Sequence, residues 1–272
     1  MTAFTMGPAI LFCPADRPDR YAKALERADA VIIDLEDAVA PGNREAARAA
    51  LIGHPQDPER IIVRVNPVGS TDFAADLAAL GSTQYRTVML AKTESAADAA
   101  ALGDYSVVAL CETALGVLNS PQIAAAPNVV ALMWGAEDLI ASLGGSSSRT
   151  ESGAYRDVAL HARSQVLLTA GAHGKAAIDS VYLDIGDHAG LLVESLDAQA
   201  SGFGAKASIH PGQMPVIRQG FAPTPDQVER AERMLDAAAR NGGVFAFEGQ
   251  MVDEPLLRHA RAVLERSGKE VQ

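Results

Sequence analysis

The chain is poor in cysteine. Its two, Cys13 and Cys111, lie in apolar runs with no Cys-x-x-Cys spacing. That excludes a disulfide framework and a cysteine zinc site, and it fits a reduced, cytoplasmic protein. No apolar run approaches the ~18 residues that a membrane-spanning helix needs. Residues 1–7 carry no basic stretch ahead of an apolar one, so no secretory leader is expected. Basic residues are in the minority, with 23 Lys and Arg against 34 Asp and Glu and a formal charge of −11. This balance disfavours nucleic acid as a partner. There is no low-complexity tract and no solenoid repeat. No Gly-x-Gly-x-x-Gly follows a strand, and there is no P-loop, no Gly-x-Ser-x-Gly and no His-Glu-x-x-His. The Gly/Ser segment at 143–149 is read as a mobile loop with no phosphate cradle and no serine nucleophile.

What is present is a globular composition, 48% apolar with mean hydropathy +0.06 over 272 residues, ample for a large core. Short β-rich runs alternate with alanine-rich helical stretches. The strand candidates are residues 10–13, 30–35, 60–65, 87–91, 107–111, 129–134, 180–183 and 206–209, with 174–178 competing for one of the last two places. Most are apolar throughout, as strands covered on both faces of a parallel sheet are. Eight such units predict an α/β fold, a (β/α)8 TIM barrel over residues 1–220. Residues 221–272 lie outside the series and form a helical extension, a lid or an oligomer contact. There, Thr224-Pro225-Asp226-Gln227 reads as a capping box with proline at the first helical position. A last helix should end near Arg266.

Active sites of such barrels lie at the C-terminal ends of the strands. The residues delivered there include Asp16 and Arg17, Glu36 and Asp37 (with Asp34 inside its strand), Arg64 and Asn66, Lys92, Glu112, Glu137 and Asp138, Asp184 and His210. Glu112 and Asp138 would end neighbouring strands, where two carboxylates repel unless one is protonated or a cation lies between them. Oxygen ligands without His or Cys favour magnesium. The alternative is that each pairs with a base or caps a helix. Arg64 is suited to a substrate carboxylate or polarised carbonyl, or else to an internal salt bridge with Glu36 or Asp37. Lys92 could form a Schiff base or an ion pair within the acidic rim. Arg17, Arg20, Lys23 and Arg27 recur at helical spacing, either as a phosphate-holding stripe or as a solvated face.

Taken together, Leu11-Phe12-Cys13-Pro14-Ala15-Asp16-Arg17-Pro18, Asp34-Leu35-Glu36-Asp37-Ala38-Val39, Val63-Arg64-Val65-Asn66, Leu110-Cys111-Glu112-Thr113-Ala114, Gly135-Ala136-Glu137-Asp138-Leu139, Ile209-His210-Pro211-Gly212-Gln213 and Phe247-Glu248-Gly249-Gln250-Met251-Val252-Asp253 resemble the citrate lyase beta-subunit-like family. That family belongs with the malyl-CoA and citramalyl-CoA lyases, and the likeness runs from about residue 8 to 265. It implies a magnesium-dependent barrel that cleaves or forms a carbon–carbon bond beside a thioester. Glu112 and Asp138 would hold Mg2+ and, through it, the substrate. Arg64 would meet the substrate's carboxylate or thioester oxygen. Glu36 and Asp37 would orient water around the metal. Asp253 would act as acid or base, in its own or a neighbouring subunit's site, although it is also placed to cap the final helix ahead of Pro255. Arg17, Arg20 and Lys23 become candidates for coenzyme A phosphates. The resemblance implies a homotrimer or a multiple of one, and as substrates a short 3-hydroxy-carboxyacyl-CoA, with a glyoxylate-, pyruvate- or oxaloacetate-type keto acid as co-product. Two other outcomes stay open: a citrate lyase subunit working on a carrier-bound thioester, and a non-catalytic protein that binds CoA or a dicarboxylate.

Overall fold

The computed structural model describes residues 4–269. The ends of the two expected spans, 1–3 and 270–272, lie outside the described residues, and so does part of the 1–7 segment read for a leader. The described chain divides into two compact units between Gly220 and Phe221.

In the first unit eight parallel strands close into a barrel in sequence order. They are β1 (Ala9–Pro14), β2 (Ala30–Asp34), β3 (Ile61–Val65), β4 (Thr87–Leu90), β5 (Ser106–Cys111), β6 (Val129–Trp134), β7 (Ala176–Asp179) and β8 (Ala205–Ser208). The intervening helices are α1 (Tyr21–Arg27), α2 (Arg44–Gly53), α3 (Phe73–Gly81), α4 (Ala96–Ala100), α5 (Ala114–Leu118), α6 (Ser120–Ala124), α7 (Ala136–Ser142), α8 (Asp157–Ala172), α9 (His188–Ser201) and α10 (Met214–Phe221). The (β/α)8 barrel read from the sequence is therefore the fold. The seventh strand is the exception. Residues 180–183 are loop, and β7 falls on the competing apolar stretch. Both runs are apolar and short, so composition could not separate them. Pairing decides, because Ala176, Ala177 and Ile178 sit in register with Ala131, Leu132 and Met133 of β6.

Strand periodicity sets the interior. Ile10, Ile32, Ile62, Val108, Leu110, Met133, Ile178 and Ala207 belong to one core cluster, while intervening residues such as Val31, Ile33, Val63 and Ala109 are buried outside that cluster, on the opposite faces of their strands. Successive side chains alternate in this way along every strand. Phe12, Asp34, Arg64 and Glu112 each stand two residues beyond an interior position. They therefore share the inward face, at the C-terminal end of the barrel.

The second unit is built on α11 (Pro225–Asn241), a hairpin of β9 (Phe245–Phe247) and β10 (Gln250–Val252), and α12 (Glu254–Arg266). Thr224 and Gln227 form the expected capping box. Ala231, Met234, Val252, Leu257, Ala260 and Val263 make this unit's own core. The hairpin is not legible as strands in the sequence. Its three-residue arms are too short to show a period, and Gly249 with φ +78 makes the turn.

Candidate active site

Arg64, deep on the inward face of β3, is only 8% exposed. A guanidinium there must be paired. Its Nε and Nη2 donate to Asp34 Oδ1 and Oδ2 at 2.7 and 2.6 Å, and Nη1 lies 2.9 Å from Glu36 Oε2. The guanidinium lies 5.0 Å from the centre of the Phe12 ring. Asp34 and Arg64 are in register across β2 and β3. The internal salt bridge read from the sequence is thus present to Glu36, but the main partner is Asp34. Parity would have found it, because Asp34 follows the interior Ile32 by two. Asp34 also accepts from the N–H groups of Glu36 and Ala38, which bends the chain so that Glu36 faces Arg64.

Lys92 follows β4 in a left-handed conformation, φ +48, uncommon for a residue with a side chain. Its backbone N–H donates to Glu112 Oε1 at 3.0 Å. Its ammonium pairs with Glu36, with Asp37 Oδ2 at 3.1 Å and with Asp138 Oδ1 at 3.6 Å. Burial would lower its pKa, but the Glu36 carboxylate, followed by Glu112 and Asp138, holds it well above the ordinary lysine range. An amine kept charged in this way does not suit a Schiff base. The ion-pair role is the one realised.

Glu112 extends from the end of β5 and is 2% exposed. Asp138 stands in the first turn of α7, just past β6, and is half-exposed. The N-terminal end of a helix favours a negative charge. Burial first, and then the charge of Asp138, push the Glu112 carboxyl up to about 8, against the pull of Arg64 and Lys92. Among the described residues Glu112 makes no ion pair, and its one hydrogen bond comes from Lys92. A buried carboxylate beside another carboxylate, without a bonded cation, is a donor set of the kind a hard divalent ion completes. No group of three or more His, Cys, Asp or Glu among the described residues is arranged to hold a metal. Two protein oxygens would therefore leave coordination positions for water and a chelating ligand. Sequence reading missed Gly135: a Cβ there would lie 2.8 Å from Glu112 Oε2 and 2.9 Å from Glu112 Cβ. The glycine between β6 and α7 makes room for the glutamate.

The other candidates are placed differently. Glu137 accepts from Ser148 Oγ at 2.6 Å and so ties the 143–149 loop to α7. Asn66 is bound to the buried Asp76. Asp16 accepts from Asn43 Nδ2. His210 caps the turn at Pro211–Gln213 through Nδ1. Asp184 is not a strand end. It accepts from the N–H groups of Gly186 and Asp187 in the β7–α9 loop, and the residue that does end β7 is Asp179. The basic stripe is interrupted: Arg17 precedes a 3-10 turn at Pro18–Arg20, and only Lys23 and Arg27 lie on α1. Arg17 is paired with Asp19, and all four are exposed. In the second unit, Asp253 occupies the N-cap of α12, yet its side chain makes no capping bond. Its carboxylate has no partner among the described residues, and the residue is exposed.

A closed (β/α)8 barrel with an acid cluster around one arginine and one lysine at its C-terminal mouth defines the class of the protein as a barrel enzyme. Residues 9–211 match the HpcH/HpaI aldolase/citrate lyase family, and the chain belongs to that family of carbon–carbon lyases. It is 54% identical over 263 residues to a citrate lyase subunit beta-like protein of Mycobacterium tuberculosis, covering 97% of this chain and 96% of the relative. A human mitochondrial citramalyl-CoA lyase is 31% identical over 287 residues, covering 93% of this chain and 83% of the relative. The crystal structure of the M. tuberculosis protein CitE, a complex with magnesium, acetoacetate and coenzyme A, matches with a TM-score of 0.94 at 54% identity, covering 97% of this chain and 99% of that one.

Proposed function

We propose that this chain is a magnesium-dependent lyase that cleaves or forms a carbon–carbon bond in a short 3-hydroxy-carboxyacyl-CoA, giving an acyl-CoA and a small keto acid. The observation that carries this reading is Glu112, buried and without an ion pair beside Asp138. These two residues would hold Mg2+. Bound there, the ion would polarise the oxygen at the carbon being cleaved or attacked. Arg64, fixed by Asp34, keeps further N–H groups on Nη1 and Nη2 for the oxygen that gains charge as the thioester enolate forms. Glu36 and Asp37, held by Lys92, would orient water around the site. Asp253 would return the proton to the enolate carbon, and remove it in the reverse direction, in its own or a neighbouring subunit's site. Its carboxylate is not engaged in capping α12, which supports that role. Arg17, Arg20 and Lys23, all exposed, would meet the phosphates of coenzyme A. The relatives' names and the CitE complex with magnesium, acetoacetate and coenzyme A support the substrate class.

A homotrimer, or a multiple of one, is the assembly we propose. Exposed apolar side chains on α8 and α9, Leu168 at 71% and Val193 at 69% exposure among them, support self-association. Both cysteines are free and buried, which fits a reducing cytoplasm. No helix among the described residues is long and apolar enough to cross a membrane.

The test is turnover of a panel of 3-hydroxy-carboxyacyl-CoA thioesters by the purified chain, with Mg2+ or with a chelator, reading products by mass spectrometry. Release of an acyl-CoA and a keto acid with Mg2+ alone is expected. Activity confined to carrier-protein thioesters would make it a citrate lyase subunit instead. Metal-dependent binding without any product would make it a sensor.

A further inference from the structure

Lys92 touches four acids. Its ammonium reaches Glu36, Asp37 and Asp138, while its backbone N–H holds Glu112. A single residue thereby spans Glu112 and Asp138. Its backbone is left-handed there, φ +48, with the N–H donating to Glu112 at the end of β5 and the ammonium reaching the other three acids. Around it, the carboxylates of Asp34, Glu36, Asp37, Glu112 and Asp138 face two fixed cations, Arg64 and Lys92. Arg64 is engaged by Asp34 and Glu36. Among the described residues, Lys92 is the one that pairs with Asp138.

We propose that Lys92 is a resident counter-cation of the metal site. It holds the acids together in the metal-free protein and, by standing against Asp138, weakens the site's affinity for a divalent ion. The proposal rests on the reading that Glu112 and Asp138 hold that ion. The cause is electrostatic. An ammonium 3.6 Å from a ligand oxygen shares that ligand's charge with any incoming cation and repels it. A weakened site favours entry of the metal together with a chelating substrate, whose own negative groups make up for the charge that Lys92 has neutralised. Lys92 is thus a positioning residue that lowers metal affinity.

The experiment titrates Mg2+ alone, without substrate, into the wild-type chain and its variants by calorimetry. Lys92→Met removes the charge and should tighten Mg2+ binding about tenfold. Lys92→Gly removes the same charge and relieves the left-handed backbone, so it tests the idea even if the methionine variant folds poorly. Lys92→Arg keeps the charge and should bind Mg2+ within about threefold of wild type. As a second readout, metal-free Lys92→Met should melt below wild type, because the acids lose their counter-ion, and Mg2+ should raise its Tm by more than it raises that of wild type. Equal or weaker Mg2+ affinity in both uncharged variants would overturn the proposal and leave the site reading intact. Unchanged affinity in a Glu112→Gln, Asp138→Asn double variant would overturn the site reading, and the proposal with it.

Discussion

The barrel buries charge in two places, and the two obey opposite rules. On the β7–β8 side, Asp179 and Lys206 are fully buried. Lys206 donates to Asp179 Oδ2 at 3.0 Å, to the Ser180 carbonyl at 2.7 Å and to Glu194 Oε1 at 2.8 Å, which engages all three ammonium protons. Asp179 also accepts from Trp134 Nε1 and Arg163 Nε. Every charge there has its partners. On the β2–β6 side the acids outnumber the bases, and Glu112 is left without an ion pair among the described residues. The residue types are nearly the same. The difference is strand parity: Asp179 and Lys206 are neighbours of the interior residues Ile178, Ala205 and Ala207, so they point outward to be covered by α8 and α9, whereas Asp34, Arg64 and Glu112 point inward, where the barrel opens. An acid left without an ion pair, more than an acid as such, distinguishes the candidate site from a strut.

Neutralising the acids of the open half should have the largest effect. Glu112→Gln with Asp138→Asn should lower turnover by about 10³-fold or more and abolish Mg2+ binding, with the fold kept by circular dichroism. The sealed half should answer in stability. Lys206→Met takes the ammonium from Asp179 and Glu194, which keep Arg163 and Arg149 as partners, and should destabilise the chain by about 1.5–3 kcal/mol in urea unfolding. A change below about 1 kcal/mol would mean that the network is not closed. Gly135→Ala sharpens the geometry of the open half. Its methyl group must displace the Glu112 carboxylate, so turnover should fall about 10²-fold and Mg2+ affinity should weaken, with a smaller change in stability.

The pH dependence tests the same glutamate through its proton. Glu112 takes up a proton in the folded, metal-free chain well above the usual 4.5 of a glutamate, near 8. Its contribution to stability is therefore complete below about pH 4.5 and lost as pH rises through about 8, by at most ~1.4 kcal/mol per pH unit. Metal-free wild type should lose stability relative to Glu112→Gln across that window. Because the proton must leave for the metal to bind, Mg2+ affinity of the wild type should fall as pH drops below about 8. Denaturant titrations and calorimetry at about pH 6, 7 and 8.5, on both sides of that value, check both effects.

Much of the fold and part of the candidate site are legible in the sequence. Apolar, non-alternating runs announce buried parallel strands, and Thr224-Pro225 announces α11. The polar residues just past the apolar runs bring Glu36, Asp37, Arg64, Lys92, Glu112 and Asp138 to one rim. What escapes is partnership. Asp34 as the seat of Arg64, Gly135 as the space for Glu112, and the network around Lys206 depend on which residues face one another across strands far apart in the chain. The seventh strand is misread as 180–183 because two short apolar runs are equivalent until one of them pairs with β6.

Local chemistry and hydrophobic periodicity thus determined, from the sequence alone, that eight strands would be covered on both faces and that acids would crowd their C-terminal ends. Only the closed barrel decided which of those acids would meet a cation and which would be left without one. Closure sets the inward or outward direction of every side chain and the distance between residues on neighbouring strands, and a charge's fate depends on both.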